Sequence, residues 1–329
     1  MPGHVVQTVA PQLHGPIAAH LAEVVRIFDH ELHSDQPVVR DLCSQIAAYR
    51  GKMLRPTLLL LAARACGEVR REHLVLAAVV EIVHVATLVH DDVLDEADIR
   101  RGGPSVNRLC GNESAVLLGD YLISHAYHLC SSLGSQHAAR RIAATTNIVC
   151  EGELMQVANR GNWDLSEDDY FEIIRRKTAA LTAICCELGA HFAGAAPERV
   201  EHLAAYGCDL GIAFQIIDDL LDLTASEAEM GKSLGRDADM GKLTLPLISF
   251  LRKAPTGVRR RAVEVLAKGR FRPQDLDGDT DSFNESIEYA AGMARGFVQS
   301  AIARLADLPA TPAKDALTTA AEFVVQRRS

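Results

Sequence analysis

The stretch Leu74-Val75-Leu76-Ala77-Ala78-Val79-Val80-Glu81-Ile82-Val83-His84-Val85-Ala86-Thr87-Leu88-Val89-His90-Asp91-Asp92-Val93-Leu94-Asp95 decides the fold of this 329-residue chain. It is apolar at nearly every position up to His90, so it reads as a helix without a solvated face. Glu81 interrupts it and Asp91-Asp92 follow, which makes it too short and too charged to span a bilayer. A helix of this kind must be enclosed by others. The expectation is therefore a central helix in a large bundle.

Outward from it, apolar residues recur at spacings of three and four over 17–31, 56–66, 113–132, 137–158, 167–193, 198–223, 243–252, 258–268, 283–306 and 313–327. No run of alternating β-branched residues bounded by turns appears, so the fold class is all-α. Turn-forming residues break the pattern at Arg100 to Pro104, Asn159 to Asp164, Met230 to Gly241 and Pro273 to Ser282. No compositional linker divides the chain, and residues 1–329 are expected to form a single domain. The eight cysteines form no C-x-x-C pair and read as reduced core thiols, pointing to the cytoplasm. The first residues lack the basic start and apolar run of a signal peptide. With a net charge of −9, the chain lacks the basic surface of a nucleic-acid binder. An anionic substrate would need local positive charge or metal ions.

The acidic end of the central helix has a second copy. Asp91-Asp92-Val93-Leu94-Asp95 closes one apolar segment, and Asp218-Asp219-Leu220-Leu221-Asp222 closes another. On a helix, i and i+4 share a face, so Asp91 projects with Asp95, and Asp218 with Asp222. Three carboxylates on one turn repel, and they persist either on a solvated end or where a cation satisfies them. Two matched copies after buried-looking segments favour the cation. Oxygen-only donors suit a hard divalent ion, and Mg²⁺ best, because it shares its shell with water and phosphate oxygens.

Local positive charge is present as well. Gly51-Lys52-Met53-Leu54-Arg55-Pro56 opens a helix, where backbone N–H groups add to the charges of Lys52 and Arg55. Arg100 and Arg101 follow the first acidic end, before a flexible Gly102-Gly103. Lys177, Lys232 and Lys242 lie near the second, although a lone lysine is ordinarily a surface residue. His84 sits two turns before Asp91 on the same face and reads equally well as a satisfied core histidine.

Together these residues resemble the trans-isoprenyl diphosphate synthases, the polyprenyl synthetase family. Val80 to Gly102 is similar to the first Asp-rich motif of that family, and Phe214 to Asp222 to the second. Gly51-Lys52 with Arg55-Pro56, Gly119-Asp120, Lys177-Thr178, and Gly241-Lys242 with Leu245-Pro246 match in order. The resemblance covers about residues 45 to 250.

The resemblance implies an isoprenoid synthase helical bundle around a deep cavity, and Mg²⁺-dependent head-to-tail condensation of isopentenyl diphosphate onto an allylic diphosphate. It implies several Mg²⁺ ions held by Asp91, Asp95 and Asp218, with Asp92, Asp219, Asp222 and Lys177 completing the catalytic set. Isopentenyl diphosphate falls to Lys52, Arg55, His84 and Arg101. The allylic diphosphate falls to Arg100, Lys177, Thr178, Gln215, Lys232 and Lys242. Small residues at Ala86 and Thr87, one turn before Asp91, imply an open path for the growing tail and an all-trans product of C30 to C50. Geranylgeranyl or farnesyl diphosphate is the shorter alternative. A cytoplasmic homodimer without stable membrane insertion is implied. Two other readings are a class I terpene cyclase and a subunit of a heteromeric synthase. The intact second motif and the Lys52/Arg55/Arg101 group disfavour a cyclase, and two intact motifs disfavour a non-catalytic subunit.

Overall fold

The computed structural model describes residues 13–46, 49, 51–224, 235–269, 271 and 280–327. It is all-α apart from one two-residue hairpin. The contacts divide into two compact units. One comprises Met1–Thr146, Leu181–Gly207 and Leu305–Thr319; the other comprises Asn147–Ala180, Cys208–Arg304 and Ala320–Ser329.

The first unit is built on α1 (Ala18–Glu31), α2 (Pro37–Gln45), α3 (Leu54–Cys66) and α4 (Arg71–Leu94). The hairpin β1 (Ile99–Arg100) and β2 (Gly103–Pro104) follows, then α5 (Val106–Cys110), α6 (Asn112–Ser131) and the start of α7 (Gln136–Ala158). Helix α4 is the buried element the sequence leads one to expect, and it packs chiefly on α6, α1 and α3. By length and composition α4 could cross a membrane, yet 72% of its most apolar window is buried inside the protein. Leu58, Leu59, Leu60 and Leu61 are all fully buried, so α3 is enclosed on every side too. Truncating any one of them to Ala should cost about 2–5 kcal/mol. Gly189, on α9 (Ala180–Phe192), lies where a Cβ would strike the Leu59 carbonyl and the Ala62 side chain. That close approach fixes a glycine there.

The second unit contains α8 (Glu167–Ile174), a π-helical turn at Arg175–Ala179, and residues 208–224 of α10 (Pro197–Thr224). It continues through α11 (Arg236–Asp239), α12 (Leu245–Lys253), α13 (Thr256–Leu266) and α14 (Thr280–Arg304). The final helix, α15 (Pro312–Gln326), begins in the first unit and ends in the second. The core of the second unit holds Phe250, Phe271 and Phe283, whose rings meet edge to face at 5.7 and 6.1 Å.

The structure differs from the sequence reading in several helices and in two cysteines. The segment 167–193 is not one regular helix, because the π turn interrupts it. Helices α2 and α5 were not foreseen, and the break at Met230 to Gly241 contains the short α11. All eight cysteines are free, but Cys110 and Cys150 are exposed rather than core thiols.

Candidate active site

Helix α4 ends in a Schellman turn. The Ala97 N–H donates to the Asp92 carbonyl at 2.8 Å and the Glu96 N–H to Val93 at 3.3 Å, with Glu96 at a φ of 46°. Glycine is the usual residue in that left-handed position, so Glu96 carries strain. The other described non-glycine residues with positive φ are Met53 and Arg101. All three flank the predicted first site, where strained backbone is commonly found. Arg101 and Gly102 are the central residues of the hairpin, and both have positive φ, as a type I′ turn requires.

This turn leaves Asp91 and Asp95 partly exposed and buries Asp92. One Asp92 oxygen accepts from Tyr49 Oη at 2.6 Å. The other accepts from Arg100 Nε at 2.9 Å and from its Nη2. Tyr49 Oη in turn accepts the Val106 N–H at 2.9 Å. Burial works against the Arg100 charge, but the hydrogen bond and charge of Asp92 outweigh it and hold the guanidinium pKa above its usual value.

The predicted cations of the first unit converge. The Arg101 guanidinium donates to the Tyr49 carbonyl and packs so closely on Gly51 that a Cβ there would collide with it. Half-buried His84 has its pKa pushed well below the usual range, first by burial and then by Arg55, Arg101 and Arg100. A neutral imidazole among three guanidiniums can donate to an anion without adding charge. Lys52 is exposed at the mouth of α3. Ala86 is fully buried on α4, and the half-buried Thr87 donates its hydroxyl to the His84 carbonyl at 2.7 Å. Gly119 on α6 receives the His90 ring, which leaves no room for a side chain.

The second acidic end is organised similarly but compensated differently. Asp219 is buried and accepts from Tyr170 Oη at 2.7 Å and from Gln215 Nε2 at 2.8 Å. The Gln215 Oε1 accepts from Thr178 Oγ1 at 2.8 Å, so two predicted residues stand in one chain of bonds. Burial and then Asp237 raise the Asp219 pKa well above the ordinary carboxylate range, opposed by Tyr170 and Gln215. Asp222 accepts the N–H groups of Arg236 at 3.3 Å and Asp237 at 3.1 Å. Its pKa still rises to about 6, from burial and then Asp237. Asp218 keeps an open side but pairs with Arg327 Nη1 at 2.9 Å.

Lys177 and Thr178 lie on the π turn, an irregularity that often marks functional sites. Gly152 on α7 admits that turn, since a Cβ would collide with the Lys177 backbone. Lys177 Nζ donates to Gln156 Oε1 at 2.7 Å and pairs with Glu153. Lys242 is buried beside Gly241, whose carbonyl accepts the Gly161 N–H at 2.8 Å. Lys232 lies outside the described residues. The partners Tyr49, Tyr170, Glu153 and Arg327 escaped the sequence reading, because none belongs to a local pattern.

Among the described residues, no three His, Cys, Asp or Glu side chains converge on one point. Both ends nevertheless offer only oxygen donors. At the second end, crowded carboxylates are pushed toward protonation, the mark of a site short of positive charge. This set fits a hard divalent ion that leaves most of its shell to water and diphosphate oxygens.

Comparison with known proteins identifies the family. A family model described as polyprenyl synthetase matches residues 36–277, a span that contains both acidic ends. The octaprenyl diphosphate synthase of Escherichia coli (strain K12) is 36% identical over 312 residues, 94% of this chain and 96% of that protein. The crystal structure of a decaprenyl diphosphate synthase from Rhodobacter capsulatus aligns with a TM-score of 0.89 at 36% identity, covering 97% of this chain and 99% of its own. A polyprenyl synthase from Caulobacter crescentus CB15, complexed with calcium and isoprenyl diphosphate, aligns at 0.90 and 33% identity, covering 97% and 98%. The chain belongs to the polyprenyl synthetase family.

Proposed function

We propose that this prenyltransferase is an all-trans-polyprenyl diphosphate synthase that condenses isopentenyl diphosphate head to tail onto an allylic diphosphate. One observation carries the reading. In a protein of net charge −9, Arg55, His84, Arg100 and Arg101 gather beside the acidic end of α4. Such a concentration of cations next to carboxylates suits a diphosphate and its metal ions. The Caulobacter relative, with its calcium and isoprenyl diphosphate, supports the same ligand class here.

In this reading Asp91, Asp95 and Asp218 would hold Mg²⁺, and the ion would supply positive charge toward the departing pyrophosphate. Arg100, Lys177, Thr178, Gln215, Lys232 and Lys242 orient the allylic diphosphate. Lys52, Arg55, His84 and Arg101 hold isopentenyl diphosphate. The allylic C1–O bond breaks and its electron pair leaves with pyrophosphate. The isopentenyl double bond then attacks C1, and the proton lost from C2 passes to pyrophosphate. Apolar walls keep water from the cation.

The relatives named octaprenyl and decaprenyl diphosphate synthase support a C30 to C50 product, as does the small Ala86. The chain works as a single cytoplasmic domain and as a homodimer. Free cysteines suit a reducing compartment. Val116, Leu117 and Tyr127 are exposed on α6, and a second copy packed on that helix would cover them. The test is to incubate the purified chain with Mg²⁺, isopentenyl diphosphate and each short allylic primer and to measure product lengths. Products of C30 to C50 from the chain alone are expected. No condensation, or products ending at C20, would overturn the assignment.

A further inference from the structure

We infer that Tyr49 and Tyr170 are matched positioning residues, each anchoring the second carboxylate of one acidic end so that its neighbours face the metal. The device occurs twice on unrelated elements. Tyr49 precedes α3 and Tyr170 lies on α8, 43 and 49 residues from the carboxylates they bind. Tyr49 is 1% exposed and Asp92 0%; Tyr170 is 3% exposed and Asp219 4%.

In both places the phenol takes one carboxylate oxygen and a nitrogen donor takes the other. The donors differ, Arg100 at one end and Gln215 at the other. The shared part is the phenol. Asp92 and Asp219 are buried with a donor on each oxygen, whereas Asp91, Asp95 and Asp218 keep exposed surface, so the buried pair serve as anchors. Successive helical residues are set about 100° apart around the axis. Pinning the second aspartate therefore fixes the rotation of the turn and the direction of the first. A phenol suits this task because its rigid ring gives the hydroxyl a defined reach. At the first end the same hydroxyl also accepts the Val106 N–H, which ties α5 to the turn.

This inference rests on the proposed reading that Asp91, Asp95 and Asp218 hold the metal, and the experiment separates the two. Full-length wild-type, Tyr49→Phe, Tyr170→Phe and Tyr206→Phe proteins are titrated with Mg²⁺ in the presence of inorganic pyrophosphate by calorimetry. Tyr206 is the control, since its equally buried hydroxyl donates to the Leu317 carbonyl at 2.7 Å and touches neither acidic end. Tyr49→Phe and Tyr170→Phe should each weaken Mg²⁺ binding by about 10-fold. Tyr206→Phe should change it by less than about 2-fold, and excess Mg²⁺ should restore turnover in the first two. Unchanged Mg²⁺ affinity in both, or an equal loss in Tyr206→Phe, overturns the inference. Each phenol lies in its own compact unit, so one well-folded variant suffices, and loss of fold in both assigns them to stability alone and overturns it as well. Wild-type protein that binds no Mg²⁺ with pyrophosphate instead refutes the metal reading, and the inference with it.

Discussion

At the end of α4 the buried Asp92 meets a guanidinium, whereas near the end of α10 the buried Asp219 meets a carboxamide. The two motifs share the placement of their three aspartates and the phenol, so the difference lies in charge. Arg100 neutralises the first anchor from within the fold. The second anchor is held by the uncharged Tyr170 and Gln215 and faces Asp237, and burial, followed by Asp237, raises both Asp219 and Asp222 toward protonation. Motifs with the same aspartate spacing can thus differ in how much positive charge they require from outside. The first end is compensated in advance; the second depends more on the ligand.

The sharpest way to break this comparison is to delete one outer carboxylate at each end. Asp91→Ala and Asp218→Ala should each lower kcat by at least about 100-fold, with the helical circular dichroism unchanged. Near-normal turnover in Asp218→Ala would show that the second end takes no part in the chemistry. A smaller effect should single out the first end as the home of the second substrate. Arg55→Ala should raise the KM for isopentenyl diphosphate by about 10-fold and that for the allylic primer much less. Equal shifts in steady-state assays of both substrates would remove Arg55 from that role.

The charge difference should also appear without any substrate. The folded protein holds the Asp222 proton up to about pH 6, whereas a free aspartate releases it near pH 4. The folded state therefore binds the proton more tightly. The stability this group contributes is complete below about pH 4 and is lost as pH rises toward 6. Asp222→Asn cannot ionise, so in EDTA its Tm relative to wild type should improve by on the order of 2 °C between pH 4 and pH 7. Taking the difference between the two pH values cancels the hydrogen bond to a backbone N–H that the amide cannot make. A Tm difference that stays flat across this range in scanning calorimetry would mean that Asp222 is already compensated.

Much of the architecture was legible because it is local. The nearly continuous apolar run of α4, the i, i+4 carboxylates and the glycine-containing break at Arg100 to Pro104 each occupy one short stretch. The positioning contacts were not, because Tyr49, Tyr170 and Arg327 reach their aspartates from 43, 49 and 109 residues away. A tyrosine in a helix or loop carries no mark of the carboxylate it will meet. The π turn was hidden for another reason. Widening one turn leaves the apolar spacing of 167–193 nearly intact, so the segment reads as a regular helix until Gly152 shows where the backbone comes close. Helix α2 spans only nine residues, too short for its Val38/Leu42 and Val39/Cys43 spacing to stand out, although Pro37 in its first turn marks its start.

The smallest expected effect concerns Arg327, which lies beyond α15 and pairs with Asp218 at 2.9 Å while stacking over the Phe214 ring at 4.3 Å. The pair is partly solvated, with the Asp218 side chain 37% exposed, so it contributes no more than about 1 kcal/mol. A guanidinium and a divalent ion compete for the same carboxylate oxygen. Removing the guanidinium should therefore strengthen Mg²⁺ binding in the absence of diphosphate by about 2- to 5-fold, the equivalent of that energy. With pyrophosphate present the gain should shrink, because a free Arg327 can turn to the anion and assist it. Calorimetric Mg²⁺ titrations of Arg327→Gln with and without pyrophosphate separate the two roles. A gain that persists undiminished with pyrophosphate would make Arg327 a competitor alone. No gain in either titration would mean that Asp218 gives Mg²⁺ an oxygen the arginine never occupied, and the second end would then be as well compensated as the first.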